Sequence, residues 1–552
     1  MPIRPRRRPV LVLLPALLVA GTLPGCAGRS GSAADREVEA ILSEKRGEVR
    51  RRLDEAFVSP RAPGPEDADE AIHPEGVDRE PPVDIPEVIG LRDALRIATL
   101  SNRDYVSRTE GLYLSALSLT GTRFQFGPQL ASTLSYLATD ATGRKRLYDQ
   151  GVDLTASRIL PTGGTVSVGG GIDSVRDRNL ADERSASSTV NASITQPLLR
   201  GAGYESSHES LTQAERGLLY AVRDYARFRE DFLIGVTRRF YELITQREVV
   251  RNTEKRYEDA GFQFRRAEAL FEVGRQSKLD VLRAETDLLR VENDLVVTRD
   301  FYSLSLDQFK VFLGLPLSVT FDLDDTPPPF QEVNISLKSA VEAAFANRFD
   351  LANRREQLED TERALRIAKR NMLPDLDLRL ASSGSAGPSD RLLDHNFDSR
   401  SNSIGLTLEI PLQRTQERNA LRSAQIASDR ARRDFEEFRD NLVVEVREAL
   451  RGLRQGVVQL QIQERLIGSE EDRVLKARLD FDSGIIGNRD VLEAEQSLLG
   501  ARNALIRLQV DYEVARIALE RTMGTLEVDA DGSWRARRAP RPEMAAGGEG
   551  EE

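Results

Sequence analysis

The residue types that do chemistry are few in this 552-residue chain, and they do not cluster. Its three histidines, His73, His208 and His395, are far apart, whereas a structural metal site needs a dense set of His, Cys or carboxylate ligands. They read as ordinary surface histidines. Met1, Met372, Met523 and Met544 are equally scattered and form no soft-metal relay. No glycine-rich phosphate loop and no Ser/His/Asp set is visible, so nothing points to an enzyme, a cofactor or a metal. Carboxylates are plentiful, but they sit on amphipathic stretches where a solvated helix face is the default role. One phrase stands apart. Gly-x5-Asp-Val-Leu-x-Ala-Glu occurs twice, as Gly274 with Asp280 to Glu285 and as Gly484 with Asp490 to Glu495.

The only cysteine, Cys26, follows Leu23-Pro24-Gly25. Ahead of it stand the basic Arg4, Arg6, Arg7 and Arg8, then an apolar run from Val10 to Val19 that is too short to span a bilayer. The pattern resembles an export signal ending in a bacterial lipobox, whose cysteine takes up lipid. Pro24 departs from the usual small or aliphatic residue, which leaves ordinary cleavage nearby as the alternative. One cysteine excludes a disulfide within the chain. A net charge of −11 speaks against a nucleic-acid partner, since phosphate binding needs a basic patch.

The elements that must position the repeated phrase are themselves repeated. Phe271, Gly274, Asp280-Val281-Leu282, Leu288-Leu289, Asn293, Tyr302 and Gly314 recur 210 residues later as Phe481, Gly484, Asp490-Val491-Leu492, Leu498-Leu499, Asn503, Tyr512 and Gly524. A weaker match pairs Leu91, Ala94 and Ala98 with Leu337, Ala340 and Ala344, each block running into Asn-Arg. In each unit a helix is followed by strands, then by a much longer helix and its return. The long helices run about 65 residues, or roughly 100 Å at 1.5 Å per residue, so their apolar stripes must be covered by neighbouring helices.

Strands show strict alternation, with Leu376, Leu378 and Leu380 set against Asp375, Asp377 and Arg379. Ile404, Leu406, Leu408 and Ile410 alternate with Ser403, Thr407 and Glu409, and Val190, Ala192 and Ile194 repeat the pattern in the first unit. Such strands suit a barrel with lipid outside and water inside, and a small soluble sandwich is the alternative. The chain thus divides into a signal (1–25), a lipidated flexible tether (26–87) with one short helix near Glu37 to Phe57, a first repeat (88–320), a connector (321–334), a second repeat (335–526) and a disordered tail (527–552). The connector carries Pro327-Pro328-Pro329, which cannot continue a helix.

This order of elements, the repeat, and the phrases Gln196-Pro197-Leu198-Leu199-Arg200-Gly201 and Ile410-Pro411-Leu412 resemble the TolC family of outer-membrane efflux channels across about 88 to 526. The resemblance implies a mainly α fold with a β-barrel portion, built as a homotrimer whose pooled strands form the barrel in outer-membrane lipid. It also implies pooled helices crossing the periplasm to a periplasmic adaptor protein and an inner-membrane pump of the RND or ABC type. Asp490, Glu493 and Asp280 fall on the family's pore constriction, with Arg283 replacing the acid at the first-unit counterpart of Glu493. Solvated helix carboxylates are the alternative. Gly274, Leu282, Gly484 and Leu492 fall on the adaptor-contacting tip, with turn formation and core packing as the alternative.

Two departures follow. Where the family member compared carries a gating arginine, this chain has Ile486, with Arg489 nearby. And Pro128 to Pro197 exceeds its counterpart Pro374 to Pro411 by two alternating runs, Val152 to Ala156 and Val166 to Ile172, around the turn Pro161-Thr162-Gly163-Gly164. Six strands are expected, with the extra hairpin in the barrel or as an outer flap. A lipid-anchored periplasmic scaffold or adaptor without a pore is the competing function; it would carry its helical hairpin once and lack duplicated strands.

Overall fold

The computed structural model describes residues 27–49, 84–139, 147–177, 183–326, 330–389, 397, 399–483, 485–529, 532 and 534–536. Cys26, Gly484, His73 and His395 lie outside them. Two compact units emerge, each drawing segments from both repeats: Met1–Val49, Leu112–Val222 and Gln357–Ala431 form one, and Arg50–Gly111, Arg223–Glu356 and Arg432–Glu552 the other. Sequence repeats and compact bodies therefore do not coincide.

The first unit is organised by a six-stranded antiparallel sheet. Its strands are β2 (Gln129–Thr139), β3 (Leu147–Ile159), β4 (Thr165–Asp177), β5 (Glu183–Pro197), β7 (Asp375–Ser389) and β8 (Ser399–Glu409), paired in that order. The surplus of the first repeat is the β3–β4 hairpin, which turns at Pro161–Gly164 and is hydrogen-bonded between β2 and β5 rather than set apart as a flap. Register carries the alternation across all six strands. Leu134 faces Val152, which faces Ile172; Ile194 faces Leu380, which faces Ile404. The opposite face aligns Ser135, Gly151 and Asp173, then Thr195, Arg379 and Gly405. One face is thus mainly apolar, broken at Arg158, Ser188 and Asn402, and the other mainly polar, as lipid outside and water inside require.

The same unit holds α1 (Ala27–Val49), which begins directly after Cys26. A flexible tether with a short helix near Glu37 to Phe57 was expected; instead the helix starts ten residues earlier and buries Val38, Ile41 and Leu42. Asp35 accepts a hydrogen bond from the Tyr113 hydroxyl, and Glu44 pairs with Arg123 at 3.4 Å. An apolar stripe of three residues within a charged segment was too short a signal to separate docking from linker.

In the second unit β1 (Val88–Ile89) pairs in parallel with β6 (Asp322–Leu323), and α2 (Leu91–Ser101) leads into α3 (Arg103–Phe126). The corresponding pair in the second repeat is α7 (Leu337–Asn347) and α8 (Phe349–Arg370). The hairpins are α5 (Glu209–Glu272) with α6 (Lys278–Leu313), and α9 (Thr415–Asp482) with α10 (Asn488–Met523), after the short α4 (Tyr204–Ser207). Ala94, Ala98, Ala340 and Ala344 are fully buried, so the short helices come close to α6 and α10. The Asn-Arg match shifts by one in space. Asn102 and Arg348 both cap their short helices with extended backbone, so they, not the two asparagines, are equivalents. The tail is ordered in part, because Trp534–Ala536 (β10) pairs antiparallel with Leu526–Val528 (β9) and Arg229 donates to the carbonyls of Val528 and Asp529 at 2.8 and 2.7 Å.

Both hairpins end on a glycine in the left-handed region, Gly314 (φ 80°) and Gly524 (φ 66°). A Cβ at Gly314 would come within 2.1 Å of the Ser101 carbonyl oxygen, and one at Gly524 within 2.9 Å of the Asn347 carbonyl carbon. Gly314→Ala and Gly524→Ala should each cost about 2 kcal/mol or more, from strained backbone and steric overlap combined. Gly452→Ala, mid-helix with nothing within 4 Å, should be neutral or stabilising by about 0.5 kcal/mol. Thermal unfolding in detergent checks the order; equal midpoints for all three would remove the claim that these two glycines set the helix junctions.

Candidate functional site: the hairpin tips and the buried charge network

At the first tip, Gly274 takes φ 76°, and its N–H donates to the Phe271 carbonyl at 2.9 Å while Arg275 N–H reaches back to Leu270 at 2.8 Å. That closure ends α5. Ser277 then starts α6: its hydroxyl accepts from Asp280 N–H at 3.3 Å and donates to the Asp280 carboxylate at 2.6 Å. The second tip repeats the closure with Ile485 N–H on the Asp480 carbonyl at 2.9 Å, and Gly487 N–H donates to the Asp490 carboxylate at 3.2 Å. Asp280 and Asp490 therefore hold the same post, the third helical position, where a carboxylate satisfies an orphan N–H and faces the positive helix end; the capping box is complete only at Ser277, since Gly487 has no side chain to return the bond. The Ser-x-x-Asp spacing at 277–280 carried this signal, and the expected constriction role does not need it.

Glu493 is exposed and lies 3.4 Å from Arg473, which also meets Glu470 at 3.4 Å. Asp490 and Glu493 line a shallow recess of about 220 Å³ with Arg473, Lys476, Asp480 and Ile486. The second tip thus brings the two expected acids together, but in a mixed field with two cations. Asp280 instead pairs with Arg283 at 3.6 Å on its own helix. Leu282 is 48% exposed, whereas Leu492 is half-buried beside Val491 and Ala494, which are buried with Val474 and Ala477. The two tips are unequal. Arg489 is exposed, and Ile486 packs on the tip's small core rather than facing solvent as an arginine would.

A second cluster was missed by sequence reasoning. Arg348, almost fully buried, holds Asp350 with two bonds of 3.0 and 2.7 Å and Glu445 with one of 2.6 Å. Arg227 also pairs with Asp350, and Arg521 reaches Asp231 at 2.9 Å and Glu445 at 3.5 Å. Beside them Glu230 is 8% exposed, and burial pushes its carboxyl from 4.5 up to about 8 against the pull of Arg227, Arg521 and Arg348. These residues come from α5, α8, α9, α10 and the α7 cap. Only the fold unites them, because each alone reads as one charge among many on a long helix.

His208 also corrects its reading as a surface residue. It is buried, stacked 4.6 Å from Tyr204 and 4.7 Å from Phe126, with Ser207 Oγ at 2.8 Å, and burial lowers its pKa. Among the described residues no group of His, Cys, Asp and Glu could hold a metal, and no helix is long and apolar enough to cross a membrane.

A sheet with one lipid-compatible face and one polar face, continuous with long helical hairpins, defines the protomer of a channel that crosses a membrane by strands. The outer membrane efflux protein family model matches residues 141–314 and 340–525, and the chain belongs to that family. It is 23% identical over 345 residues to alkaline protease secretion protein AprF of Pseudomonas aeruginosa, covering 61% of this chain and 69% of that protein. Outer membrane protein TolC of Vibrio cholerae is 22% identical over 323 residues, or 58% and 74% of the two chains. In structure the fold resembles the open-state MtrE outer membrane channel of Neisseria gonorrhoeae, with TM-score 0.61, 14% identity, and coverage of 83% and 96%. The protein is an outer-membrane channel protomer of the efflux or secretion type that extends into the periplasm, and it is not an enzyme.

Because the folded state holds a proton on Glu230 that the unfolded chain gives up near 4.5, this contribution to stability is fully present below that pH. It is lost as pH rises through about 8. Glu230→Gln should therefore melt with the parent at pH 4 and above it at pH 9; parallel curves across the range would show that Glu230 is ionised and solvated.

Proposed function

We propose that three copies of this chain form a passive export duct, docked on a periplasmic adaptor protein and driven by an inner-membrane pump of the RND or ABC type. The observation that carries the assembly is the open sheet. Among the described residues β2 and β8 are edges without a partner strand, and backbone groups left unpaired in hydrocarbon cost several kcal/mol each, so further copies complete the strands. Secretion of a polypeptide is supported by the likeness to AprF, named for alkaline protease secretion.

At the tips, Asp490 and Glu493 supply the acids of the constriction, with Asp280 as a weaker counterpart tied to Arg283. Arg473 and Lys476 in the same recess temper the negative field, so cation preference is moderate rather than steep. Gly274 and Leu282 form the more accessible adaptor contact; Gly484 and Leu492 form the second. Cys26 carries the lipid at the head of the segment 26–87, behind a signal at 1–25 and ahead of the repeats at 88–320 and 335–526, the connector at 321–334 and the tail from 527.

Planar-bilayer recording of the purified full chain should give discrete channels, with a detergent-corrected mass of three copies. Silence together with a one-copy mass would overturn the duct. Asp490→Asn combined with Glu493→Gln should reduce cation selectivity and block by divalent cations, and unchanged selectivity would move the constriction elsewhere. Metabolic labelling with palmitate should mark the parent and not Cys26→Ser; equal labelling, or none in either, would remove the lipid anchor.

A further inference from the structure

The extra hairpin changes the size of the membrane section. We propose that each copy inserts all six strands, so that three copies close an eighteen-stranded barrel with β2 of one copy paired antiparallel to β8 of the next. The inference rests on the trimeric reading above and adds to it the strand count, the seam and the width of the lumen.

Three observations support the seam. β2 and β8 are the two outermost strands and both have 11 residues. An even number of antiparallel strands leaves the two edges running in opposite directions, which is the polarity an antiparallel seam needs. And the edges carry the alternation with the greatest exposure on the apolar side, at Leu130 (78%) and Ile404 (77%), so the lipid face continues across the join.

Six strands spaced about 4.8 Å apart and tilted about 40° occupy roughly 38 Å of perimeter per copy. Eighteen of them give a backbone diameter of roughly 36 Å, in the range where barrels hold an aqueous channel.

The lumen face is built to stay open. Ser135, Gly151, Ser167, Gly169, Asn191 and Ser403 put small polar groups there, and the glycines leave room for neighbours: a Cβ at Gly151 would meet Asp173 Oδ1 at 2.5 Å, and one at Gly169 would meet Asn191 Oδ1 at 2.6 Å. The membrane section therefore passes hydrated cargo at least as wide as a helical polypeptide segment, about 10–12 Å across. Size selection falls to the helical tips.

Electron cryomicroscopy of the full chain in nanodiscs, with its mass measured in parallel, tests this. Three copies with eighteen strands in one closed ring are expected. Three copies with a twelve-stranded ring and residues 147–177 outside it would overturn the proposal while leaving the trimer intact; any other copy number would overturn the trimeric reading and this count together. As a second measure, polyethylene glycols added on the barrel side should reduce single-channel conductance up to a larger polymer size for the full chain than for a variant lacking 140–182. The same cut-off for both would overturn the wide lumen, and if that variant does not assemble, the strand count of the full chain decides.

Discussion

Hydrocarbon offers no hydrogen bonds to a peptide group, and most of this molecule follows from that constraint. A sheet in lipid must have every N–H and C=O paired along each strand, and pairing stops at two edges in a single chain. Closure by further copies is then obligatory rather than accessory. The side chains follow the same boundary condition, since Leu134, Val152 and Ile172 on three strands and Val166, Ile194, Leu380 and Ile404 on four lie on one face, although the strands come from two repeats.

Away from the membrane the governing problem changes to covering long apolar stripes. Duplication solves it with two hairpins whose ends are locked in the same way, each by a left-handed glycine set against the short helix pair of its own repeat. The copies diverged where packing permits. At the cap of the short helix, Asn102 donates its side-chain amide to the Phe312 carbonyl at 2.6 Å, whereas Arg348 in the same post gathers Asp350 and Glu445 into a buried ionic web. A neutral clamp and an ionic clamp do the same mechanical job at the same post.

Much of this was legible in the sequence because periodicity reports one-dimensional facts. The alternation of Leu376 to Leu380, the long stripes ending at Gly274 and Gly484, and the surplus around Pro161 each encode an element and its exposed face. What stayed hidden depends on who meets whom across the chain. Glu230 and Arg348 are 118 positions apart, and nothing local distinguishes them from dozens of solvated charges. Asp280 and Asp490 show the converse: a strong repeated motif invited a pore reading, while a local capping bond already accounts for the residue type. The docking of α1 and the pairing of β10 were missed because three-residue signals do not rise above composition.

The β3–β4 hairpin, inserted between β2 and β5, leaves every flanking connection untouched: β2 still leaves α3 outward, and β5 still returns into the helix that follows. A single added strand would deliver the chain to the wrong side of the bilayer, whereas an added pair restores direction. Width in this architecture is therefore a parity-protected quantity, which evolution can change only in whole hairpins, at the outer end, without rewriting the helical machinery beneath.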